Sequence, residues 1–221
     1  MSATADAPAA PGAGTIPYLA LGDSYTIGEG AAEADRWPEQ LAAQARAQGL
    51  PLARPDIIAR TGWTTAELLE ALAASANHRT DYGLVSLLIG VNNQYRGQST
   101  ELYRTELREL LAQATHFAGG RPGRVLVLSI PDWGRAPFGA GRNQAMIGEQ
   151  IDLFNQVARQ ECQQAGIAFV DITPFTRAAG QQPAEYVADG LHYSGPQMQR
   201  WAQLALPVAQ RLLAAPGSAG R

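Results

Sequence analysis

The chain has 221 residues, of which 46% are hydrophobic and 17% are charged, and it carries a formal net charge of −3. This length and composition fit one globular domain with a sizeable core, and the weakly acidic balance excludes an electrostatic basis for binding nucleic acid or an anionic membrane. All 17 basic residues are arginine, so chemistry that needs a lysine, such as a Schiff base or a phosphate-binding loop, is excluded as well.

The two ends of the chain differ in composition from the rest. Residues 1–16 are rich in Ala, Pro and Gly, and they lack the basic start and the apolar stretch of a secretion signal. We therefore expect a flexible N-terminal tail, a single domain over 17–214, a flexible C-terminal tail over 215–221 and a cytoplasmic location. No apolar run approaches the roughly 20 residues that a membrane span requires.

The first predicted elements alternate between strand and helix. The apolar run at 17–21 predicts a strand, and the Ala-rich segment 37–49, which ends in glycine, predicts a helix with a glycine C-cap. A second strand is predicted at 55–59. The helix predicted over 64–75 begins with Thr64, followed three residues later by a glutamate, which is the pattern of a capping box.

The remaining elements continue this alternation. Residues 83–90 are almost continuously apolar, which is typical of a central parallel strand covered on both faces. The further predicted elements are a helix at 100–116, a strand at 124–130, a helix at 145–165, a strand at 167–172 and a helix at 195–214. The apolar stripe of the 145–165 helix includes Cys162, the single cysteine, which we therefore place in the core. Five strands alternating with helices predict an α/β fold, a three-layer α/β/α sandwich with a parallel sheet.

Four short polar segments follow strands or lie in the last long loop. They are GDSY at 22–25, RTGW at 60–63, IGVNNQY at 89–95 and DGLHYS at 189–194. Because open α/β sheets place their ligands at the carboxyl ends of the strands, we expect these segments to meet at one edge of the sheet.

The residue types in these segments complement one another chemically. Ser24 offers a hydroxyl that becomes a nucleophile when a base takes its proton, and the His192 imidazole is suited to be that base. Asp189, three residues earlier, is spaced to hold the imidazole in one tautomer. Donors for an oxyanion are the backbone N–H groups of Ser24 and Gly62 and the side-chain amide of Asn92.

Each segment also has a purely structural interpretation. Asp23 and Ser24 are common caps at the start of a helix, and for Asp23 we prefer a cap or a buried acceptor to a catalytic role. The dipeptide Asp189–Gly190 is a frequent turn, and Asn92 is also suited to capping or turning the chain. The complete set in this order, after successive strands, favours catalysis.

The ordered set resembles the GDSL or SGNH hydrolases, a family of esterases and lipases. These have serine in a G-D-S block, glycine in a second block, asparagine in a G-x-N block and histidine in a D-x-x-H block. The corresponding residues here are Gly22-Asp23-Ser24, Gly62, Gly90-Val91-Asn92 and Asp189-Gly190-Leu191-His192. The resemblance extends from about residue 17 to 213, and Tyr25 stands where the name of the family has leucine.

This resemblance implies a mechanism and a topology. It implies Ser24 as nucleophile, His192 as base and Asp189 as the residue that orients it. The implied oxyanion hole consists of the Ser24 and Gly62 amides and the Asn92 side chain, and the implied fold is a flavodoxin-like five-stranded sheet with strand order 2-1-3-4-5.

The expected function is a serine esterase that acts on a small-molecule ester through a Ser-His-Asp triad and an acyl-enzyme, without a metal or organic cofactor. No large insertion forms a lid, which favours short- to medium-chain carboxylic esters. Possible walls of the substrate cleft are Trp63, Trp133, Tyr95 and Phe138, with Trp37 farther along its loop, although core packing is an equal alternative for each.

Other functions use the same residues. A carbohydrate O-acetyl esterase, a thioesterase and a lysophospholipase all employ this machinery, so the catalytic residues do not separate them. The non-enzymatic alternative is a flavodoxin-like domain that binds an acyl ligand.

Overall fold

The computed structural model describes residues 14–214. The predicted tails at 1–13 and 215–221 therefore lie outside the described residues. The first strand begins at Ile16, one residue before the expected start of the domain.

Five parallel strands form one sheet in the order β2-β1-β3-β4-β5. The strands are β1 (Ile16–Gly22), β2 (Leu52–Ala59), β3 (Leu84–Leu88), β4 (Val125–Leu128) and β5 (Ala168–Val170). This is the predicted α/β fold, and the strand order implied by the family resemblance is confirmed.

Eight helices flank this sheet within residues 14–214. They are α1 (Ser24–Ile27), α2 (Trp37–Ala47), α3 (Thr65–Ala74), α4 (Val91–Tyr95), α5 (Thr100–Phe117), α6 (Gln144–Ala165), α7 (Thr173–Ala179) and α8 (Gly195–Ala214). Helix α2 packs against α8, while α5 packs against both α3 and α6, so the helices form the two outer layers. Helices α1, α4 and α7 were not predicted, because they are too short to show an amphipathic period.

The central strand β3 is buried along its whole length, as its continuous apolar sequence predicted. Strand β2 begins at Leu52, three residues before the predicted start, and includes Pro55. It lies at the edge of the sheet, where a proline that cannot donate a hydrogen bond is tolerated. Cys162 is fully buried, as predicted, and its burial raises the pKa of the thiol to about 12.

Gly22 sets the sharp turn from β1 into α1. A Cβ atom at this position would overlap with Oγ1 of Thr26 and with the carbonyl oxygen of Leu88. Only glycine lets the chain pass this close to β3 and still begin a helix at Ser24. The turn therefore fixes Ser24 at the carboxyl end of β1.

The second and third polar segments are tied to each other by hydrogen bonds. The predicted capping box of α3 is formed, with the Thr64 and Glu67 side chains each accepting from the other residue's backbone N–H. In addition, Asn93 Oδ1 accepts from the Thr65 backbone N–H at 3.1 Å. The start of α3 and the start of α4 are thus held together at one edge of the sheet.

The long C-terminal loop is closed by its own backbone. Tyr186 and Tyr193 form an isolated antiparallel bridge, and the Val187 N–H donates to the His192 carbonyl at 2.9 Å. The Phe138 N–H donates to the Gly190 carbonyl at 3.0 Å, which connects this loop to the one after β4. Among residues 14–214, no helix has the length and apolar character needed to cross a membrane.

Candidate active site

All four polar segments contribute to one cavity of about 200 Å³ at the carboxyl ends of the strands. Ser24, Gly62, Asn92 and His192 lie in its wall. The topology therefore brings these four predicted residues to one cavity, although they are up to 168 positions apart in the sequence.

His192 and Asp189 form a closely hydrogen-bonded pair. The distance between His192 Nδ1 and Asp189 Oδ2 is 2.6 Å. The other carboxylate oxygen, Oδ1, accepts from the backbone N–H groups of Leu191 at 2.8 Å and of His192 at 2.9 Å. Both oxygens of the Asp189 carboxylate thus take part in hydrogen bonds. The carboxylate that holds the imidazole lies only three residues earlier in the chain.

These hydrogen bonds control the charge of Asp189. Partial burial by itself would raise the pKa of this carboxyl group, but hydrogen bonds from the His192 side chain and from the His192 and Leu191 backbones outweigh it. The pKa of Asp189 is therefore lowered below its usual value. The ionised carboxylate, which this shift favours, is the form that stabilises an imidazolium during proton transfer.

Ser24 is the first residue of α1 and is 5% exposed. Its carbonyl accepts from the Glu29 N–H at 3.0 Å, which anchors the short helix. Among the described residues, the Ser24 hydroxyl makes no hydrogen bond to His192. Contacts of this kind are often long in a site without substrate and tighten when substrate binds.

Tyr25 contacts the His192 ring. The two ring centroids are 5.5 Å apart, and Tyr25 is only 3% exposed. Burial raises the pKa of the Tyr25 phenol well above its usual value, so the ring is neutral. From the sequence, Tyr25 was only a departure from the family name, whereas in the structure its ring packs against the His192 imidazole directly beside Ser24.

The expected oxyanion donors lie along the cavity wall. One hydrogen of the Asn92 side-chain amide is donated to the Trp63 carbonyl at 2.9 Å, which leaves the second hydrogen of that NH₂ group available. The Gly62 carbonyl accepts from Arg96 Nη2 at 2.6 Å, which fixes the peptide group between residues 62 and 63. Gly62 has a φ of +84°, and this left-handed conformation, rather than a lack of space, is the reason for glycine.

Asp23 is fully buried directly before Ser24 and caps α1. Its Oδ1 accepts from the Tyr25 backbone N–H at 3.0 Å, as the preferred interpretation of the sequence expected. Its Oδ2 has no hydrogen-bond partner within residues 14–214. Burial raises the pKa of this carboxyl group to about 7, and hydrogen bonds with the backbones of Tyr25 and of Asp23 itself offset only part of that effect.

Asp23 is expected to make the free energy of unfolding depend on pH. Its pKa is higher in the folded chain, so the folded state binds the proton more tightly and is favoured at low pH. This contribution is present below pH 4 and is lost as the pH rises through about 7, amounting to about 4 kcal/mol in total.

Urea unfolding of the wild type and of Asp23→Asn at several pH values measures this effect. Asparagine does not titrate, so the stability of the wild type relative to the variant should fall steadily between pH 4 and 8. A constant difference over that range would show that Asp23 titrates with its ordinary pKa.

Three aromatic residues of the predicted cleft lie in the cavity wall: Trp133, Tyr95 and Phe138. The Trp133 indole N–H donates to Gln94 Oε1 at 2.7 Å, and the Gln94 amide in turn donates to Gln150 at 2.7 Å. Trp133 is thus fixed in orientation by a buried amide, while Tyr95 and Phe138 are partly exposed.

The other two tryptophans predicted for the cleft, Trp63 and Trp37, do not lie in the cavity wall. Trp63 packs against the core and is not in the cavity wall, although its carbonyl accepts from the Asn92 amide. Trp37 is fully buried at the start of α2 and lies in the core, not in the cavity wall that we expected it to extend. Packing in or against the core, the alternative interpretation for both residues, describes where they lie.

Sequence reasoning missed Gln94, Arg96 and Thr61 as parts of the site. Thr61 lies in the cavity wall and donates to Glu29, and Arg96 holds the Gly62 peptide. Thr61 and Gln94 belong to the second and third polar segments, but a single threonine or glutamine does not by itself indicate a functional site. Their roles depend on partners more than 30 residues away, so no local signal could have found them.

Several solved structures share the fold. TesA gives a TM-score of 0.69 at 22% identity and covers 89% of this chain and 99% of its own. The psychrotrophic esterase EstA from Pseudoalteromonas sp., in a structure inhibited by monoethylphosphonate, gives 0.68 at 16% identity, covering 90% and 99%. Axe2, an acetyl xylan esterase from Geobacillus stearothermophilus, gives 0.69 at 18% identity, covering 89% and 95%. At these identities the likeness shows the fold alone.

The sequence itself gives a more specific result. A comparison with curated proteins found no match. The model of the GDSL-like Lipase/Acylhydrolase family matches residues 20–200, which is most of the chain and includes every polar segment of the cavity. The chain therefore belongs to the GDSL-like Lipase/Acylhydrolase family.

Proposed function

We propose that the protein is a serine esterase that hydrolyses short- to medium-chain carboxylic esters through an acyl-enzyme intermediate. The observation that supports this most strongly is the 2.6 Å contact between His192 and Asp189, in a loop whose imidazole shares a cavity with Ser24. A nucleophile, a base and a group that orients the base are then present in one site.

In the first half of the reaction, the Ser24 oxygen attacks the ester carbonyl while His192 Nε2 takes the hydroxyl proton. The Asp189 carboxylate holds Nδ1–H, so the imidazole accepts at Nε2 and its positive charge is stabilised. The negative charge that develops on the carbonyl oxygen is stabilised by the backbone N–H groups of Ser24 and Gly62 and by the Asn92 amide.

The tetrahedral species then collapses. The bond to the alcohol oxygen breaks, His192 returns its proton to that oxygen, and the acyl group remains on Ser24. In the second half, water replaces the alcohol: His192 takes a proton from water, the hydroxide oxygen attacks the acyl carbonyl, and Ser24 leaves with the proton from the imidazolium.

The size of the cavity supports a small acyl group. Its volume is about 200 Å³, and its apolar wall is formed by Trp133, Tyr95 and Phe138. Because Trp133 is fixed by Gln94, the wall does not yield easily to a long chain. We therefore place the upper limit of efficient substrates at medium chain length.

A series of p-nitrophenyl esters from acetate to palmitate tests this proposal. We expect kcat/KM to be highest for short to medium chains and to fall for long ones, and we expect a fluorophosphonate to label the protein at Ser24. Rates that rise up to palmitate would contradict the limit on chain length.

Other results would redirect the assignment. Activity confined to acetylated sugars, thioesters or lysophospholipids would retain the mechanism and replace the substrate class. A protein that neither hydrolyses any ester nor reacts with the fluorophosphonate, yet binds fatty acid, would be an acyl-ligand binding domain.

A further inference from the structure

The aromatic wall of the cavity continues to the protein surface. The ring centroids of Tyr95 and Trp133 are 5.2 Å apart, and those of Trp133 and Phe138 are 6.1 Å apart. Trp133 is 4% exposed, whereas Tyr95 is 50% and Phe138 is 38% exposed. The three rings therefore lead from the buried end of the cavity to its mouth.

A cation lies against all three of these rings. The guanidinium carbon of Arg142 is 5.8 Å from the Tyr95 centroid, 5.4 Å from the Trp133 centroid and 5.0 Å from the Phe138 centroid. These distances are within the range of about 6 Å in which a cation is attracted by an aromatic face. The Arg142 head thus lies against three rings that line the cavity, although Arg142 itself is not one of the lining residues.

The positive charge of Arg142 is not neutralised by the protein. Among residues 14–214, its guanidinium has no hydrogen-bond or ion-pair partner. Arg177, by comparison, pairs with Asp132 at 2.8 Å and with Asp152 at 2.9 Å. Aromatic rings attract a guanidinium through its face and leave the N–H groups at its edge free to bind another group.

A carboxylate is the group that best fits such an edge. The guanidinium presents its N–H donors in a planar fork that matches the two oxygens of a carboxylate, and the hydrogen bonds are strengthened by charge. Contact with three rings also reduces the number of conformations that Arg142 has to give up when an anion binds. A cavity of about 200 Å³ has room for a compact acid on a short ester.

We propose that Arg142 recognises a carboxylate on the substrate, so that the enzyme prefers short esters that carry an acid group away from the bond it breaks. This inference rests on the proposed esterase function and specifies its substrate class. The ester reacts at Ser24, and the carboxylate lies at the mouth of the cavity beside the exposed rings.

Pairs of esters that differ only in charge test this preference. Methyl hemisuccinate is compared with methyl succinamate for an acid in the acyl part, and butyryloxyacetate with butyryloxyacetamide for an acid in the alcohol part. Acid release is followed in a pH-stat. The wild type should prefer the carboxylate over the amide by about tenfold in kcat/KM in at least one pair.

Variants of two arginines in the same loop assign the effect. Arg142→Gln should remove the preference, and Arg142→Lys should retain only part of it because lysine lacks the planar fork. Arg135→Gln is the control: Arg135 is exposed and seven positions earlier, so this variant loses the same net charge and should keep the wild-type ratio. Equal ratios in the wild type and Arg142→Gln would overturn the proposal.

Two further measurements separate this inference from the proposed function. If methyl butyrate is hydrolysed and the carboxylate gives no advantage, the esterase stands and the role of Arg142 is wrong. Faster hydrolysis of the quaternary ammonium ester butyrylcholine than of methyl butyrate would mean that the rings bind a substrate cation instead. If no ester is hydrolysed, calorimetry with succinate still tests the role of Arg142. Succinate should bind the wild type and Arg135→Gln equally well, and it should bind Arg142→Gln about tenfold more weakly.

Discussion

Replacing Ser24 or His192 by alanine is expected to lower kcat for ester hydrolysis by about 10⁶-fold, with little change in KM. The reason is that neither residue alone provides a nucleophile: the hydroxyl reacts only when a base removes its proton. For the same reason, the double variant should be no slower than either single variant. Steady-state kinetics with p-nitrophenyl butyrate measures all three.

A second serine provides the matched control. Ser194 is close to His192 in the chain, and its Oγ is buried with no hydrogen-bond partner in the described part of the protein. Ser194→Ala should therefore keep near wild-type rates and stability. Losses that add up in the Ser24 and His192 double variant would contradict a nucleophile and base acting as a unit, as would full activity in Ser24→Ala.

Changing Asp189 to asparagine is expected to lower kcat by about 10⁴-fold while leaving the loop folded. The Asn side-chain oxygen can still accept from the backbone N–H groups of Leu191 and His192, as Asp189 Oδ1 does. Its NH₂ group then faces His192 Nδ1 in place of Oδ2. A donor at that point favours the tautomer with the proton on Nε2, which cannot accept a proton from Ser24.

NMR of the imidazole nitrogens checks the cause as well as the effect. In Asp189→Asn, the proton should move from Nδ1 to Nε2, while thermal unfolding changes little. Asp132→Asn is a useful comparison, because Asp132 is a buried carboxylate paired with Arg177 outside the cavity wall. That variant should lose stability with a much smaller loss of kcat. An unchanged tautomer in Asp189→Asn would refute this role of Asp189.

The fold could be predicted because each layer has its own periodic signal. The continuous apolar run of β3 and the capping box at Thr64 are local patterns, and both are present in the structure. Strand ends were less accurate, as for β2, since pairing with β1 extends that strand beyond its apolar residues. Helix α1 has only four residues and depends on Gly22 and Asp23, so it is too short for a helical period in the sequence to predict it.

The polar residues of the site could be predicted for a different reason. Ser24, Gly62 and Asn92 follow strands, and His192 lies in the last long loop; the topology of a parallel sheet brings such segments to one edge. The substrate side could not be predicted in the same way. Trp133, Gln94 and Arg142 come from segments whose proximity depends on side-chain packing, which leaves no pattern in the sequence.

The loop that carries Asp189 and His192 has a consequence for how this site can be altered. The orientation of the imidazole is encoded in four consecutive residues that bond to one another, whereas its position relative to Ser24 is set by Tyr25 and by the Gly190–Phe138 hydrogen bond. A short segment that contains these four residues therefore keeps the orientation of the imidazole. The distance between the imidazole and a serine depends on the rest of the fold and would have to be designed anew in another protein. Grafting this loop onto another scaffold would transfer the hydrogen-bonded His192–Asp189 pair but not its placement beside Ser24.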